Sequence, residues 1–505
     1  MDKGGIKMVF QKNITEVGYR LPRDYVQKHR VVPLGLEEGK PVIAIPEGLS
    51  LEIRQELEIF FNQKLIFRTY ESDELDKFVQ EFLDSEGETI EGMLESINSD
   101  DYAGSDLYFS QNIENLEDLA QEAPIIRLVN LIISEALKER ASDIHLEPFE
   151  DHVKLRYRID GILYEKTPPP KNLFPAIITR IKIMANLDIA ERRLPQDGRI
   201  RIRIAGREVD IRVSTVPTIY GESLVMRLLD QSSVLLNLEE LGFEPDTLEQ
   251  VYKNLNFING IILVTGPTGS GKTTTLYSCL NRMNVPEKKI LTVEDPVEYH
   301  LAGINQMQVN EKIGFTFATG LRSILRQDPD IIMVGEMRDL ETARMGIQAA
   351  LTGHLVFSTI HTNDSASTIT RLIDMGVEDY LVASTLRCIL AQRLVRRICS
   401  NCKEEYKPHL AEIKAIGLSD DLNITFYRGR GCEECNYSGY RGRIGIYELM
   451  NITPEIEEMI TQRRNANEIK KVACGQGMVT LREDGLRKVK RGITTIEEVL
   501  RVTQV

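Results

Sequence analysis

Ile261 to Thr275 read IILVTGPTGSGKTTT, an apolar, β-branched run that passes directly into a glycine-rich loop and then into residues that favour a helix. Gly266, Pro267, Thr268, Gly269, Ser270, Gly271, Lys272 and Thr273, with Thr274 behind them, have the spacing of a phosphate-binding loop. Backbone amides must wrap closely around phosphate oxygens, and a Cβ at the glycine positions blocks either the φ angles or the approach. In that reading Lys272 brings a point charge to the β- and γ-phosphates of a nucleoside triphosphate, and Thr273 a hydroxyl to Mg²⁺. So short a pattern also arises by chance, but here the strand before it and the helix after it are both in place.

Downstream, the strand-like runs KILTVED, DIIMVGE and HLVFSTI alternate with helical segments. From about residue 245 this predicts an α/β domain with a mostly parallel sheet and helices on both faces. Open parallel sheets bind ligands at the carboxyl ends of their strands. ILTVEDPVEYH puts Glu294, Asp295 and Glu298 there, DPDIIMVGEMRD puts Glu336 there, and HLVFSTIHT ends on His361, with His354 opening the same run. Phosphoryl transfer is chiefly positioning and charge stabilisation, so one carboxylate on the magnesium side and one orienting water are sufficient equipment. The residues alone leave Glu294 and Glu298 equal as the water-side acid.

A third signal is Cys399-x2-Cys402 followed, after 29 residues, by Cys432-x2-Cys435. Each pair forms a knuckle offering two thiolates, and two knuckles close a tetrahedral S₄ shell with no position left for water, so a structural Zn²⁺ is expected. Redox CxxC motifs normally come singly on a strand–helix unit. The remaining cysteines are Cys279, Cys388 and Cys474, and an odd total argues against a disulfide framework.

Bulk properties exclude several classes. Lys and Arg total 62 against 76 Asp and Glu, a formal net charge of −14, which disfavours nucleic acid and anionic lipid as direct partners. The apolar runs are too short to span a bilayer, and the start MDKGGIKMVFQKNITEVG lacks a secretory h-region, so a cytoplasmic location is expected. The 505 residues predict three or four domains. The first eighty or so mix VVPLGL, PVIAIP and KLIFRTY with the amphipathic LEIRQELEIFFNQ, a small α+β pattern. Between Asp84 and Asp106 stand eight acidic residues and no Lys or Arg, the composition of a solvated linker. Beyond the helical APIIRLVNLIISEALKE, the segments HVKLRYRIDGILYEK and RIRIRIAGREVDIRVSTVPT alternate around turn signals and predict antiparallel hairpins.

Taken in order, these pieces resemble the secretion ATPase superfamily of type II secretion systems and type IV pili. Beside the phosphate loop stand an Asp box (ILTVEDPVEYH), a magnesium strand ending in Glu (RQDPDIIMVGEMRD) and a His box (GHLVFSTIHTNDSASTITRL). ASDIHLEP, RYRIDG and RRLPQDGRI resemble the middle domain of assembly ATPases; AQRLVRRICSNC, GRIGIYELM and GITTIEEVLRV resemble the family's C-terminal part with its tetracysteine insert. The likeness runs from about Ile125 to the C-terminus and is strongest to the type II secretion branch, with pilus extension second.

The resemblance implies a RecA-like P-loop ATPase domain at 239–505, with a zinc subdomain at about 397–440 and a helical part at about 441–505. It implies a PAS-like α+β domain at 109–238 before it, then, toward the N-terminus, the acidic linker at 84–108 and a platform-binding α+β domain at 1–83. It further implies a homo-hexamer using ATP, Mg²⁺ and Zn²⁺, attached indirectly to the inner membrane through a bitopic anchor protein and a polytopic platform protein, and powering pseudopilus assembly and export. Carried over residue by residue, Lys272 and Thr273 match the phosphate loop, Glu298 the general base, Glu336 the magnesium-strand acid and His361 the His box, His354 less closely. Arg212 and Arg227 match arginines of the middle domain, and Arg322 and Arg326 arginines of the ATPase domain. The first domain carries no copy of the RLG-type cyclic-dinucleotide motif of some relatives, so no such ligand is expected. A DNA-handling motor, a non-catalytic ATP-binding scaffold and a pilus-retraction ATPase are the rival readings. The acidic charge disfavours the first, the set Lys272, Glu298 and Glu336 the second, and the tetracysteine insert the third.

Overall fold

The computed structural model describes residues 21, 23–37, 40–61, 64–70, 72, 74–76, 78–79, 90, 113–204, 207–230, 236–409, 412–413 and 424–504. The acidic stretch 84–108 lies outside the described residues except for Ile90. Two compact units emerge, 1–132 and 133–505, with the division inside the helix Ala123–Lys138 rather than at the acidic stretch. Among the described residues no helix is long and apolar enough to cross a membrane.

In the first unit β1 (Val32–Glu37), β2 (Lys40–Pro46) and β3 (Ile66–Tyr70) form a sheet in that order. β1 and β2 pair antiparallel; β2 and β3 pair parallel, which requires a crossover, supplied by the helix Leu51–Phe61. The central strand is apolar on both faces for that reason, and Ile43, Ile45, Leu57 and Phe61 close the core.

The second unit begins with a six-stranded antiparallel sheet made of β4 (Ala141–Pro148), β5 (Val153–Ile159), β6 (Ile162–Lys166), β7 (Gln196–Ile204), β8 (Arg207–Thr218) and β9 (Gly221–Asp230). Their order is β6-β5-β4-β9-β8-β7. Strict alternation sends Ile144, Leu146, Leu155, Tyr157, Ile211, Val213, Leu224 and Met226 into the core. The opposite face is polar, and cross-strand register sets Arg199, Arg212, Arg227, Asp143 and Arg158 in one row across five strands. The β5–β6 turn places Asp160 and Gly161 at φ 50° and 90°, the handedness a tight hairpin demands.

The rest of the unit is built on β10 (Gly260–Thr265), β11 (Ile290–Glu294), β12 (Asn305–Gln308), β13 (Ile331–Val334), β14 (Leu355–Ile360), β15 (Leu386–Ile398), the hairpin β16 (Lys403–Tyr406) and β17 (Phe426–Gly429), and β18 (Tyr440–Asn451). Seven of them order as β12-β11-β13-β14-β10-β15-β18, all parallel except the edge pair β15–β18. Helices cover both faces, so alternate residues of one strand enter different cores: Ile261 and Leu263 one, Ile262 and Val264 the other.

One expectation needs correction. The segment from about 441 is not helical throughout: GRIGIYELM lies within β18, whose apolar residues pair with β15 before the helices Pro454–Thr461, Ala466–Gly475, Leu481–Lys490 and Ile496–Thr503 begin. Ile444, Ile446 and Tyr447 are residue types that suit a pleated, half-buried surface, and they pair there with β15.

Candidate nucleotide site and cysteine cluster

β10 ends at Thr265, whose hydroxyl is tied to Ile360 O and to Thr362, and the chain turns into the glycine-rich loop. Gly266, Gly269 and Gly271 take φ of 149°, 77° and 86°. A Cβ on Gly266 would stand 2.5 Å from Gln392 O, and one on Gly271 2.8 Å from Gln392 Nε2, so β15 presses against the loop from behind. No side chain caps the helix Lys272–Met283, leaving its first amides free for an anion. Ser270 Oγ is buried in the loop without a partner. These features fit a bound polyphosphate.

Lys272 Nζ donates to Gly266 O at 2.8 Å and Pro267 O at 3.1 Å, occupying the loop's own carbonyls. Burial pushes its pKa down to about 8; the Glu336 carboxylate works against this and the Arg393 cation with it.

The two acids of the Asp box separate. Glu294 is buried at the end of β11 and accepts hydrogen bonds from Tyr277 Oη, from Thr292 Oγ1 at 2.5 Å and from Gln306 Nε2 at 3.1 Å. Its lone pairs are committed to the core. Glu298, in the loop beyond, is part-exposed, and its Oε2 lies 2.9 Å from Arg212 Nη2 in an ion pair without hydrogen-bond alignment; Arg212 also donates to Val297 O at 3.3 Å. The middle sheet thus reaches the acid loop through Arg212.

Glu336 follows β13, pairs with Arg338 and lies 3.5 Å from His361 Nε2. His361 follows β14, whose Ile360 is in register with Thr265, so it stands beside the phosphate loop; burial and the Lys272 charge lower its pKa. His354 precedes β14, at the opposite end of the sheet, where Nδ1 lies 2.9 Å from Ala349 O. The histidines therefore serve different ends of one strand.

The arginines separate likewise. Arg227 is held by Asp143, Nε to Oδ1 at 3.0 Å. Arg322 pairs with Glu341 at 3.1 Å, and Arg326, in the turn after the helix Phe317–Ile324 that carries Arg322, donates to Arg322 O at 3.0 Å. Of the four, Arg212 is the one joined to a candidate acid. Gln392 and Arg393, within AQRLVRR, join the site without any signal in the sequence: Gln392 Oε1 accepts from Thr275 Oγ1 at 2.8 Å, tying β15 to the loop helix. Nothing in spacing marks them, because their proximity arises only when β15 pairs with β10.

The four cysteines Cys399, Cys402, Cys432 and Cys435 converge, every Sγ within 4.8 Å of the others. Three Sγ–Sγ separations are 3.9, 3.8 and 3.7 Å. A tetrahedron with Zn–S of about 2.3 Å has edges of about 3.8 Å. Backbone N–H groups of Gly431, Cys432 and Gly439 point at sulfurs at 3.2–3.3 Å, fixing the thiolates in place. The donor set fits Zn²⁺.

The family model described as Type II/IV secretion system protein matches residues 118–501. The chain belongs to this secretion-protein family. A second model, the MshEN domain, matches residues 12–89. Among relatives of this secretion-family chain, Type II secretion system protein E of Xanthomonas campestris pv. campestris is 49% identical over 483 residues, 95% of this chain and 84% of that one. Its namesake in Pseudomonas aeruginosa is 52% identical over 391 residues, 77% and 78% of the two chains. Type IV pilus assembly ATPase PilB of Myxococcus xanthus is 44% identical over 484 residues, 95% and 85%. The crystal structure of the pilus retraction motor PilT with bound ADP is similar with TM-score 0.51 and 27% identity, over 74% of this chain and 95% of that one. The Legionella pneumophila ATPase DotB shares the fold at TM-score 0.55 and 20% identity, over 74% and 95%.

Proposed function

We propose that this chain is the Mg²⁺-dependent ATPase of a type II secretion system, a hexameric motor that drives pseudopilus assembly and protein export. The observation that carries the catalytic part is the Arg212–Glu298 contact, which brings the middle sheet onto the acid loop of a phosphate-binding site. Relatives named Type II secretion system protein E, aligned over nearly the whole chain, support the cellular role.

Lys272 and the loop amides hold the polyphosphate, and Thr273 and Glu336 are the side chains for the metal. Mg²⁺, when bound, neutralises charge on the phosphate oxygens. Glu298 orients and accepts a proton from the attacking water, a task that needs a carboxylate not already consumed by core hydrogen bonds; Glu294 is consumed. Arg212, with Arg227 behind it in register, exchanges between Glu298 and the terminal phosphate. Loss of that phosphate returns Arg212 to Glu298 and turns the middle domain against the ATPase domain, a nucleotide-gated hinge. Arg322, Arg326 and His361 join the site from the ATPase domain, and the cysteine cluster holds Zn²⁺ as a structural element.

The protein works at the cytoplasmic side of the inner membrane, held there by the anchor and platform proteins through its first domain, with the acidic stretch as tether. Pilus extension is the second reading, favoured by the equally long alignment with PilB. The test is phosphate release from MgATP by the purified full chain, followed by complementation of a secretion-defective and a pilus-defective strain. Turnover with rescue of secretion alone supports the first reading; rescue of piliation alone replaces it with the second. A chain inert toward MgATP even with its anchor protein removes both.

A further inference from the structure

Arg393 lies on β15 and is buried at 8% exposure. Its guanidinium donates to Gln392 O at 3.1 Å, Asn363 O at 2.8 Å and Asn363 Oδ1 at 3.4 Å, all uncharged oxygens. The carboxylates that attract it most are Glu448 and Asp364, yet it forms an ion pair with neither, and both are engaged by Lys470, at 3.4 and 2.9 Å. It sits directly behind the first loop glycine: a Cβ on Gly266 would meet its Nη1 at 3.2 Å. A buried cation without a counter-ion is costly, and such groups persist where a partner arrives later.

We infer that Arg393 is a buried counter-charge for the phosphates of the bound nucleotide, placed behind the loop where Lys272 works from the front. This rests on the nucleotide reading above. The bland account is that Arg393 only clamps the Asn363 loop, next to His361, onto β15. The two accounts differ in what the charge does. A clamp stabilises the empty protein and is indifferent to ligand, whereas an uncompensated charge burdens the empty protein and is relieved by an anion.

The experiment compares the parent full chain with R393Q and R393K, measuring MgADP affinity by calorimetry at two salt concentrations and thermal unfolding without nucleotide. R393Q is expected to unfold no lower than the parent when empty, to bind MgADP about tenfold more weakly, and to lose part of the salt dependence. R393K, which keeps the charge, is expected to recover most of the affinity. Parent-like MgADP affinity in R393Q overturns the inference whatever its unfolding temperature. So does a loss that R393K fails to rescue, because fork geometry rather than charge is then at stake. R393M replaces R393Q if the latter does not fold, and failure of both assigns the guanidinium to the clamp. A parent that itself ignores MgADP removes the nucleotide reading and Arg393 with it; a parent that binds beside an equally tight R393Q removes Arg393 alone.

Discussion

The glycine-rich loop and the cysteine cluster, the two ligand sites proposed in one unit, are prepared in opposite ways. The cluster is already gathered: four sulfurs lie within 4.8 Å of one another and amide N–H groups already point at them. The loop is engaged with itself, since Lys272 binds the loop's own carbonyls and Glu298 holds Arg212 where a phosphate would compete. Lys272 and Arg212 fall back on internal partners when a ligand leaves, which lowers the cost of release, while four sulfurs gathered this closely gain most from a bound metal. The loop is therefore expected to exchange its ligand and the cluster to retain its metal.

The largest effect that tests this contrast is at Lys272. Lys272→Ala is expected to abolish MgATP turnover in a phosphate-release assay, and retained turnover would break the assignment of the loop. Glu298→Gln should keep nucleotide binding and reduce hydrolysis by about 10²–10⁴, the range for a lost general base. Equal rates in Glu298→Gln and parent would remove it from that role. Glu294→Gln, by contrast, should leave more hydrolysis than Glu298→Gln and cost about 1–3 kcal/mol of stability in denaturant unfolding, because a buried hydrogen-bonding group is disturbed.

Metal content comes next. Purified protein should hold one zinc per chain, and Cys432→Ser should lose it with a lowered unfolding temperature; four freely alkylated thiols in metal-free parent protein would end the proposal. The pH dependence is smaller but has a definite sign. In the empty site Lys272 gives up its proton near pH 8, so above that pH nucleotide binding must take one up and affinity falls as pH rises. Calorimetry in buffers of different ionisation heat should show proton uptake at pH 9 and little at pH 7. For folding the same lysine acts in reverse: the unfolded chain keeps the proton to about 10.5, so its contribution to stability rises between about 8 and 10.5. The smallest effects separate the histidines. His361→Asn should slow turnover about tenfold, the worth of one hydrogen bond to a charged group, while His354→Asn should leave it unchanged.

The sequence by itself determined the loop, the paired cysteines, the alternation of apolar strands with helices and the antiparallel middle sheet, because each is written within a few residues of chain as spacing, periodicity or turn chemistry. It left Glu294 and Glu298 equal, although the residues are four apart, since what separates them is the hydroxyl of Tyr277 and the amide of Gln306, brought in by other elements. It named Arg212 only through the family resemblance and level with Arg227, Arg322 and Arg326, and what sets Arg212 apart is the meeting of β8 with the acid loop, 85 residues away in the chain. It passed over Gln392 and Arg393 altogether, because only the pairing of β15 with β10 sets them beneath the loop. Local covalent order encodes which groups a site contains. Which of them keep free lone pairs and which charges remain uncompensated is decided by long-range packing, where burial and neighbouring dipoles act.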